Sequence, residues 1–166
     1  MIKITNQENE IVKALNTFYY KEKINAFAHR LRQFRYAGTQ LIDILSDSSD
    51  PNYYCGIEAK SFNGAKYNRL NFKSHFSNSN EEKLHQLKRE YLYCSKVGRK
   101  AFVAVETRMG AGKPKSCYFI PIKILLDMME NGIKSISINE ISAYPSLPRS
   151  EGKYVINRKV WAKIVA

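Results

Sequence analysis

The sequence predicts one domain of mixed α and β structure, and three observations support this. The chain has 166 residues, of which 44% are hydrophobic and 25% charged, which suits a globular domain with a hydrophobic core. Segments with apolar residues at helical spacing alternate with short apolar or alternating segments typical of strands. No internal repeat or second domain is visible, so residues 1–166 are predicted to form a single domain.

The first predicted element is a helix that begins at the capping-box pattern Thr5-Asn6-Gln7-Glu8 and runs to about Tyr20. Ile11, Leu15 and Phe18 fall on one face at nearly helical spacing. A strand is predicted next over 24–34, where small or apolar residues alternate with polar ones and the end is basic.

The centre of the sequence is a predicted hairpin. Leu41–Leu45 and Tyr53–Lys60 have the apolar character of strands, and Ser46–Asn52 has the Ser, Asp, Pro and Asn residues of a reversing loop. This hairpin carries the polar residues from which a site is predicted.

Within the hairpin, Asp43 lies between two isoleucines, where a core strand favours apolar residues. Glu58 and Lys60 are two residues apart and therefore share one face of their strand, while Ala59 points to the other. If the strands pair, two carboxylates and an ammonium converge, which suits a hard divalent cation beside a lysine. The alternative is that Asp43 is a turn or edge residue and that Glu58 and Lys60 belong to a solvated face.

The stretch 61–80 is rich in Asn, Ser and Lys, with aromatic residues interleaved. One interpretation is a mobile basic and aromatic loop that closes over DNA, and the alternative is a surface insertion. Downstream, further elements are predicted: a helix over Glu81–Val97 ended by Gly98, strands over Lys100–Glu106 and Ser116–Pro121, and a helix over Ile122–Glu130. The basic and aliphatic segment Lys153–Ala166 is expected to dock on the core or on a partner subunit.

The charge of the chain indicates its partner. It has 27 basic and 15 acidic residues, a net charge of +12, which favours a polyanion, with nucleic acid first and an anionic membrane surface second. The candidate nucleic-acid contacts are basic residues at the end of the early strand and in the 61–80 stretch: Arg30, Arg32, Arg35, Lys66, Arg69 and Lys73.

The cysteines and the N-terminus bear on the compartment. Three widely spaced cysteines without a C-x-x-C pattern indicate reduced, partly buried thiols in a cytoplasmic protein and no zinc ribbon. The first 16 residues are too charged for a signal peptide, and the apolar runs are too short to cross a membrane.

Several segments resemble known nucleases. Asp43 followed by Glu58-Ala59-Lys60 resembles the PD-(D/E)XK nuclease motif. The segments Glu8–Val12, Arg35–Ile44 and Tyr54–Ser61 are similar, in the same order, to the E-R-E-L-V, R-x-A-G-S-x-x-x-D and I-E-V-K-S segments of archaeal Holliday junction resolvases. The sequences at 131–136 and 141–145 resemble the C-terminal part of bacterial RecU-type resolvases.

This resemblance implies a restriction-endonuclease-like core, a central mixed sheet flanked by helices. It implies a metal-dependent DNA endonuclease that acts as a homodimer on four-way junctions. Asp43 and Glu58, with the Ala59 carbonyl, would bind Mg²⁺ or Mn²⁺, and Lys60 would assist the chemistry. Glu8 matches a site residue of those enzymes, and Gln86 matches a helix position beside the site, although a solvated glutamine is the alternative. Other functions stay open: a restriction-type or repair nuclease, or a DNA-binding module without catalysis.

Overall fold

The computed structural model describes residues 6–31, 41–76 and 85–166. Its helices are α1 (Asn6–Lys21), α2 (Gln86–Val97), α3 (Ile122–Glu130), α4 (Ile138–Ile141) and α5 (Arg158–Val165). Its strands are β1 (Ala26–Arg30), β2 (Ile44–Ser48), β3 (Cys55–Asn63), β4 (Arg69–Asn71), β5 (Lys100–Arg108), β6 (Ser116–Pro121), β7 (Ser135–Ser137), β8 (Arg149–Ser150) and β9 (Lys153–Tyr154).

The main sheet has five strands in the order β1-β2-β3-β5-β6. β3 and β5 are parallel, and the other neighbouring pairs are antiparallel. The parallel pair requires a crossover, which α2 provides. The predicted α/β fold, a mixed central sheet flanked by helices, is therefore confirmed. Two small antiparallel pairs, β4 with β7 and β8 with β9, lie outside the main sheet.

Hydrophobic clusters on the two faces of this sheet hold the helices. On one face, α1 and α5 pack through residues such as Leu15, Phe18 and Trp161. On the other, residues of α2 and α3, among them Leu87 and Leu125, pack against β5 and β6. Adjacent residues along β3 and β5 therefore serve opposite faces, as the two-residue period of a strand requires.

The C-terminal segment completes the core of this chain. Trp161 is buried, stacks near Tyr53 and donates from Nε1 to the Asn52 carbonyl at 2.8 Å. Ile156 and Ile164 are buried in the same cluster. Of the two alternatives for this segment, the structure shows docking on the chain's own core.

The first strand of the central hairpin differs from the prediction. β2 begins at Ile44 and continues through Ser48, so Asp43 immediately precedes the strand and Ser46 lies within it. Ser46 is fully buried, shares a hydrogen bond of 2.7 Å with the Tyr19 hydroxyl, and donates to the Tyr53 carbonyl at 2.7 Å. Because both bonds satisfy its hydroxyl, a residue typical of loops is tolerated inside the sheet.

The stretch after the site is more ordered than its composition indicated. β3 extends to Asn63, and Arg69–Asn71 pairs with β7, whose residues follow α3 in the sequence. Phe62, Phe72 and Phe76 are buried in the hydrophobic cluster under α2 and α3. These three rings therefore pack in the core, and the prediction of a DNA-contacting loop stays with the other residues of this stretch. Residues 77–80 lie outside the described residues.

Other boundaries agree more closely. β6 and α3 have the predicted limits, and Gly98 ends α2 in the left-handed conformation, with φ of 78°. The predicted strand over 24–34 is described only as Ala26–Arg30, β5 runs two residues beyond its prediction, and the predicted starts of α1 and α2, at Thr5 and over 81–84, lie outside the described residues.

Candidate functional site

The carboxylate of Asp43 is fixed directly against β3. Its Oδ2 accepts a hydrogen bond from the Ala59 backbone N–H at 2.9 Å. The β2–β3 pairing begins one residue later, at Ile44 opposite Ile57. Asp43 therefore lies where the hairpin opens, and its side chain reaches across to the segment Glu58-Ala59-Lys60.

Glu58 and Lys60 lie on the α2 side of β3 and are bridged by Gln86. The Gln86 amide nitrogen donates to Glu58 Oε1 at 2.6 Å, and Gln86 Oε1 accepts from the Lys60 ammonium at 3.5 Å. Lys60 Nζ is also 3.4 Å from Glu58 Oε1 and 5.0 Å from the centroid of the Phe76 ring. The structure thus brings Asp43, Glu58, Lys60 and Gln86 into one cluster, called below the Asp43 cluster.

The spacing of residues along α2 explains how Gln86 reaches this position. Gln86, Glu90 and Cys94 are four apart, and they lie over Lys60, Glu58 and Gly56, which are two apart. Four helical residues rise about 6 Å and two strand residues about 6.6 Å, so the two series stay in step. A Cβ at Gly56 would lie 2.8 Å from Cys94 Sγ, so a glycine is needed for this close approach.

Glu90 belongs to the same cluster and was not predicted from the sequence. Its Oε1 accepts the second hydrogen bond of the Gln86 amide nitrogen at 2.9 Å, while its Oε2 is buried without a hydrogen-bond partner among the described residues. With both amide hydrogens committed to Glu58 and Glu90, the Gln86 oxygen is turned toward Lys60. The available signal was its position four residues after Gln86 and four before Cys94, on a helix side that faces the sheet.

Burial and mutual repulsion disfavour the charged forms of these acids. Burial raises the pKa of Asp43 to about 8, with a further increase from the Glu58 carboxylate and a smaller one from Glu8, against the Ala59 hydrogen bond. Burial and the neighbouring Glu90 hold the pKa of Glu58 well above its usual range, while Lys60 lowers it. Burial raises the pKa of Glu90 to about 7. Three carboxyl groups thus share one nearby ammonium.

The donors of this cluster suit a hard cation. Among the described residues, no group of three or more His, Cys, Asp and Glu side chains is placed to hold one metal ion. The predicted set needs only the Asp43 and Glu58 carboxylates with the Ala59 carbonyl, all of them oxygen donors of the kind that Mg²⁺ and Mn²⁺ bind. A divalent cation would also offset the excess of buried carboxyl groups over the single ammonium.

Glu8 and Glu10 diverge from the first turns of α1. Glu8 Oε2 forms an ion pair with Arg30 at 2.6 Å and is close enough to Asp43 to affect its pKa. Glu10 instead pairs with Lys115 at 2.9 Å and Arg149 at 3.2 Å. Of the two acidic residues, Glu8 is the one beside the Asp43 cluster.

The candidate nucleic-acid contacts have different surroundings. Arg30 is engaged by Glu8, while Arg69 donates to the Ser135 hydroxyl at 2.7 Å. Lys66 lies 5.1 Å from the centroid of the Tyr67 ring, and Lys73 is exposed. Arg32 and Arg35 lie outside the described residues.

A second buried carboxylate, Glu106 on β5, serves as a reference within the same sheet. Glu106 is fully buried, accepts a hydrogen bond from the Tyr154 hydroxyl at 2.7 Å, and forms ion pairs with Arg108 at 3.2 Å and Lys115 at 3.6 Å. These residues, together with Glu10 and Arg149, are called below the Glu106 cluster. Each of its carboxylates is matched by cationic partners.

Comparisons with known proteins leave the family open. No family model matches the sequence, and no curated protein matches it. Among solved structures, the chain is similar to Archaeoglobus fulgidus Hjc, a Holliday junction resolvase from an archaeal hyperthermophile, with 15% identity, a TM-score of 0.40 and 90% of each chain covered. A likeness at this level identifies neither a family nor a substrate, so the function has to be inferred from the residues of the site.

All three cysteines are free and buried, as reduced thiols would be. In the described ranges, no helix has the length and apolar character needed to cross a bilayer.

Proposed function

We propose that this protein is a metal-dependent DNA endonuclease that hydrolyses phosphodiester bonds in branched DNA, with a four-way junction as its preferred substrate. The observation that carries the proposal is the Asp43 cluster, in which the half-buried carboxylate of Asp43 and the buried one of Glu58 meet a lysine at the opening of a hairpin. Charged groups with a purely structural role inside a protein are usually paired with groups of opposite charge, whereas this cluster has more carboxyl groups than cations. The net charge of +12 supplies the affinity for a polyanion.

The acidic residues of the cluster would hold the metal. Asp43 and Glu58, with the Ala59 carbonyl, would bind Mg²⁺ or Mn²⁺, and Glu8 adds negative charge nearby. The bound ion would supply positive charge to the scissile phosphate and lower the pKa of a water molecule. Water adds to phosphorus as the bond to the 3′ oxygen breaks, which leaves 5′-phosphate and 3′-hydroxyl ends.

Lys60 would stabilise the negative charge that develops on the phosphate. Its ammonium is held by Glu58, Gln86 and the Phe76 ring, so little reorganisation is needed when the substrate binds. Gln86 keeps the ammonium beside the carboxylate because it bonds to both. Arg30, Lys66, Arg69 and Lys73 would contact the DNA backbone, together with Arg32 and Arg35.

The proposed assembly is a homodimer. A four-way junction has near two-fold symmetry, and its resolution needs two matched nicks, whereas one chain has one Asp43 cluster. A two-fold dimer supplies two sites. Ile156, Trp161 and Ile164 of the C-terminal segment are buried in the core of their own chain, so the proposed dimer does not depend on their apolar side chains.

The test is cleavage of labelled DNA of defined shape: a four-way junction, a plain duplex and a single strand, each with Mg²⁺ or with EDTA. We expect Mg²⁺-dependent, paired and symmetric nicks in the junction, and light scattering at about twice the chain mass of 19.2 kDa. The matched control is Asp43→Asn, whose amide oxygen can still accept the Ala59 hydrogen bond.

Two outcomes would overturn parts of this proposal. Equal cleavage of plain duplex would favour a restriction-type or repair nuclease, which shares the chemistry but not the junction preference. Tight DNA binding without cleavage under any metal would favour a DNA-binding module without catalysis.

A further inference from the structure

A pocket of about 510 Å³ lies beside the small β4–β7 sheet. Most of its lining residues lie between 66 and 75, shortly after Lys60 of the Asp43 cluster in the sequence. Its lining combines one aromatic ring with basic, amide, hydroxyl and imidazole groups, and contains no acidic residue. This pocket, called the Tyr67 pocket, is lined in part by Lys66, Tyr67, Arg69, Asn71, His75 and Ser135.

The walls of the Tyr67 pocket are held in place by hydrogen bonds. Arg69 donates from Nε to the Ser135 hydroxyl at 2.7 Å and from a terminal nitrogen to the Ser135 carbonyl at 3.3 Å. The Asn71 backbone N–H donates to His75 Nδ1 at 2.8 Å, and Asn71 Oδ1 accepts from the backbone of Lys73 at 2.9 Å. Below them, Leu70 and Phe72 are buried in the core. The pocket is therefore preformed.

Tyr67 differs from the aromatic residues around it. Phe62, Phe72 and Phe76 are buried, whereas 49% of Tyr67 is exposed. The Lys66 ammonium lies over the Tyr67 ring, 5.1 Å from its centroid, so one face of the ring is paired with a cation and a base would stack on the other face. An exposed ring next to cations and hydrogen-bonding groups is the combination with which proteins stack and hold unpaired bases.

The Tyr67 pocket is joined to the Asp43 cluster by a single turn. His75 lines the pocket and packs edge-on against Phe62, with ring centroids 6.1 Å apart. The next residue, Phe76, packs against the Lys60 ammonium. The consecutive residues His75 and Phe76 therefore connect the pocket with Lys60.

We propose that the Tyr67 pocket binds the base of an unpaired nucleotide next to the cleavage site, with the Tyr67 ring stacked on the base and the basic residues facing its phosphate. This inference rests on the proposed function and adds to it a preference for DNA that offers an unpaired nucleotide at the branch.

The experiment measures binding, not cleavage, so the two proposals fail separately. Full-length protein in EDTA is titrated into a labelled duplex with a short single-stranded gap and into the same duplex without the gap. The gap carries 2-aminopurine, whose fluorescence falls when the base stacks. The variants are Tyr67→Leu, which removes the aromatic ring, and Tyr67→Phe, which keeps it. The matched control is Tyr20→Leu, because Tyr20 is 87% exposed on α1 and outside the pocket.

We expect Tyr67→Leu to weaken binding of gapped DNA by about 10-fold, the scale of one lost base–aromatic stack. In the same variant, binding of intact duplex should stay near the wild-type value, and the quenching of 2-aminopurine should be lost. Tyr67→Phe should keep both the wild-type affinity for gapped DNA and the quenching. If Tyr67→Leu has no effect, or weakens gapped and intact duplex equally, the pocket does not bind an unpaired base. If Tyr67→Leu loses the gap preference but its circular dichroism spectrum also changes, Tyr67→Phe decides the test. Weak binding of gapped DNA by Tyr67→Phe would then also overturn the proposal.

The outcomes separate this inference from the proposed function. Tyr67-dependent binding of gapped DNA without any cleavage would support the base-binding pocket and contradict the proposed nuclease activity. Cleavage of junctions with Mg²⁺, together with normal binding of gapped DNA by Tyr67→Leu, would support the nuclease activity and contradict the base-binding pocket.

Discussion

The central sheet buries two acidic residues on neighbouring strands, and their surroundings differ. Glu106 on β5 meets a tyrosine hydroxyl, an arginine and a lysine, all of which stabilise its charge. Glu58 on β3 meets one lysine and one amide, but its other polar neighbours are the carboxyl groups of Asp43 and Glu90. The Glu106 cluster is electrostatically complete within the chain, whereas the Asp43 cluster has an excess of acid.

Under the proposed function, this difference would separate a structural carboxylate, Glu106, from a metal-binding one, Glu58. A buried charge with matched partners holds elements together, here α1, the β5–β6 hairpin and the β8–β9 hairpin. A buried group of acids with too few cations is unfavourable alone and becomes favourable when a cation binds. The comparison between the two clusters can therefore be tested by removing one carboxylate from each.

The largest expected effect is on cleavage. Asp43→Asn should abolish Mg²⁺-dependent cleavage while leaving DNA binding intact, because it removes a charge that we propose binds the metal but keeps a hydrogen-bond acceptor for Ala59. Glu106→Gln should keep cleavage near the wild-type rate when assayed well below its melting temperature. Single-turnover rates on the junction measure both, and cleavage by Asp43→Asn at the wild-type rate would show that the site is elsewhere.

The next effect concerns Lys60. Lys60→Ala should lower the cleavage rate by about 100-fold or more, the scale of losing one preorganised electrostatic stabiliser of the transition state. DNA affinity, measured by fluorescence anisotropy in Ca²⁺, should change little. A variant that binds poorly but cleaves normally once saturated would instead make Lys60 an ordinary phosphate contact.

Stability should respond in the opposite sense in the two clusters. Glu106→Gln leaves cationic partners without their carboxylate and should cost about 2 kcal/mol or more. Asp43 has a pKa of about 8 in the folded protein against a usual value of 3.8, so the folded state binds the Asp43 proton more tightly than the unfolded chain does. The contribution of this proton to the free energy of unfolding is complete below pH 3.8 and is lost as the pH rises through 8. Metal-free protein should therefore be less stable at pH 8 than at pH 6.

Asp43→Asn should flatten that pH dependence and stabilise the metal-free protein at pH 8 by on the order of 1 kcal/mol or more. Urea denaturation in EDTA at the two pH values measures both variants. Equal destabilisation by Asp43→Asn and Glu106→Gln at pH 8 would remove the distinction between the clusters.

The smallest effect is expected at Glu90, which orients Gln86. Glu90→Ala frees the Gln86 amide and should lower kcat by about 10-fold, the scale of one hydrogen bond, with little change in KM. Glu90→Gln offers an oxygen at the same place and should recover most of the rate. Equal loss in both variants would mean that the charge of Glu90, and not the orientation of Gln86, is what matters.

The sequence was informative where a pattern was local. The period of two that places Glu58 and Lys60 on one face of a strand is a property of the backbone, and β6 and α3 have clear boundaries in their apolar runs and turn residues. Gln86 was placed on a helix, and the structure sets that helix over β3.

Other features depend on tertiary packing. Ser46 continues β2 because Tyr19, distant in sequence, shares a hydrogen bond with its hydroxyl. Phe72 is buried because β4 pairs with β7, far along the chain. Glu90 enters the site because Gly56 lets α2 lie close to β3. The contacts of Ser46 and Phe72 have no local signature in the sequence, and the helical spacing of Glu90 places it on the side of Gln86 without indicating what that side faces.

The most direct test of the Asp43 cluster as a cation site is a titration of the purified protein with Mn²⁺, in which electron paramagnetic resonance separates free from bound ion. We expect the wild type to bind Mn²⁺ more tightly at pH 8 than at pH 6, because the ion requires ionised carboxylates. Binding should be lost in Asp43→Asn, kept in Glu106→Gln, and displaced by Mg²⁺. Unchanged Mn²⁺ binding in Asp43→Asn, or its loss in Glu106→Gln alone, would contradict the assignment of the metal to the Asp43 cluster.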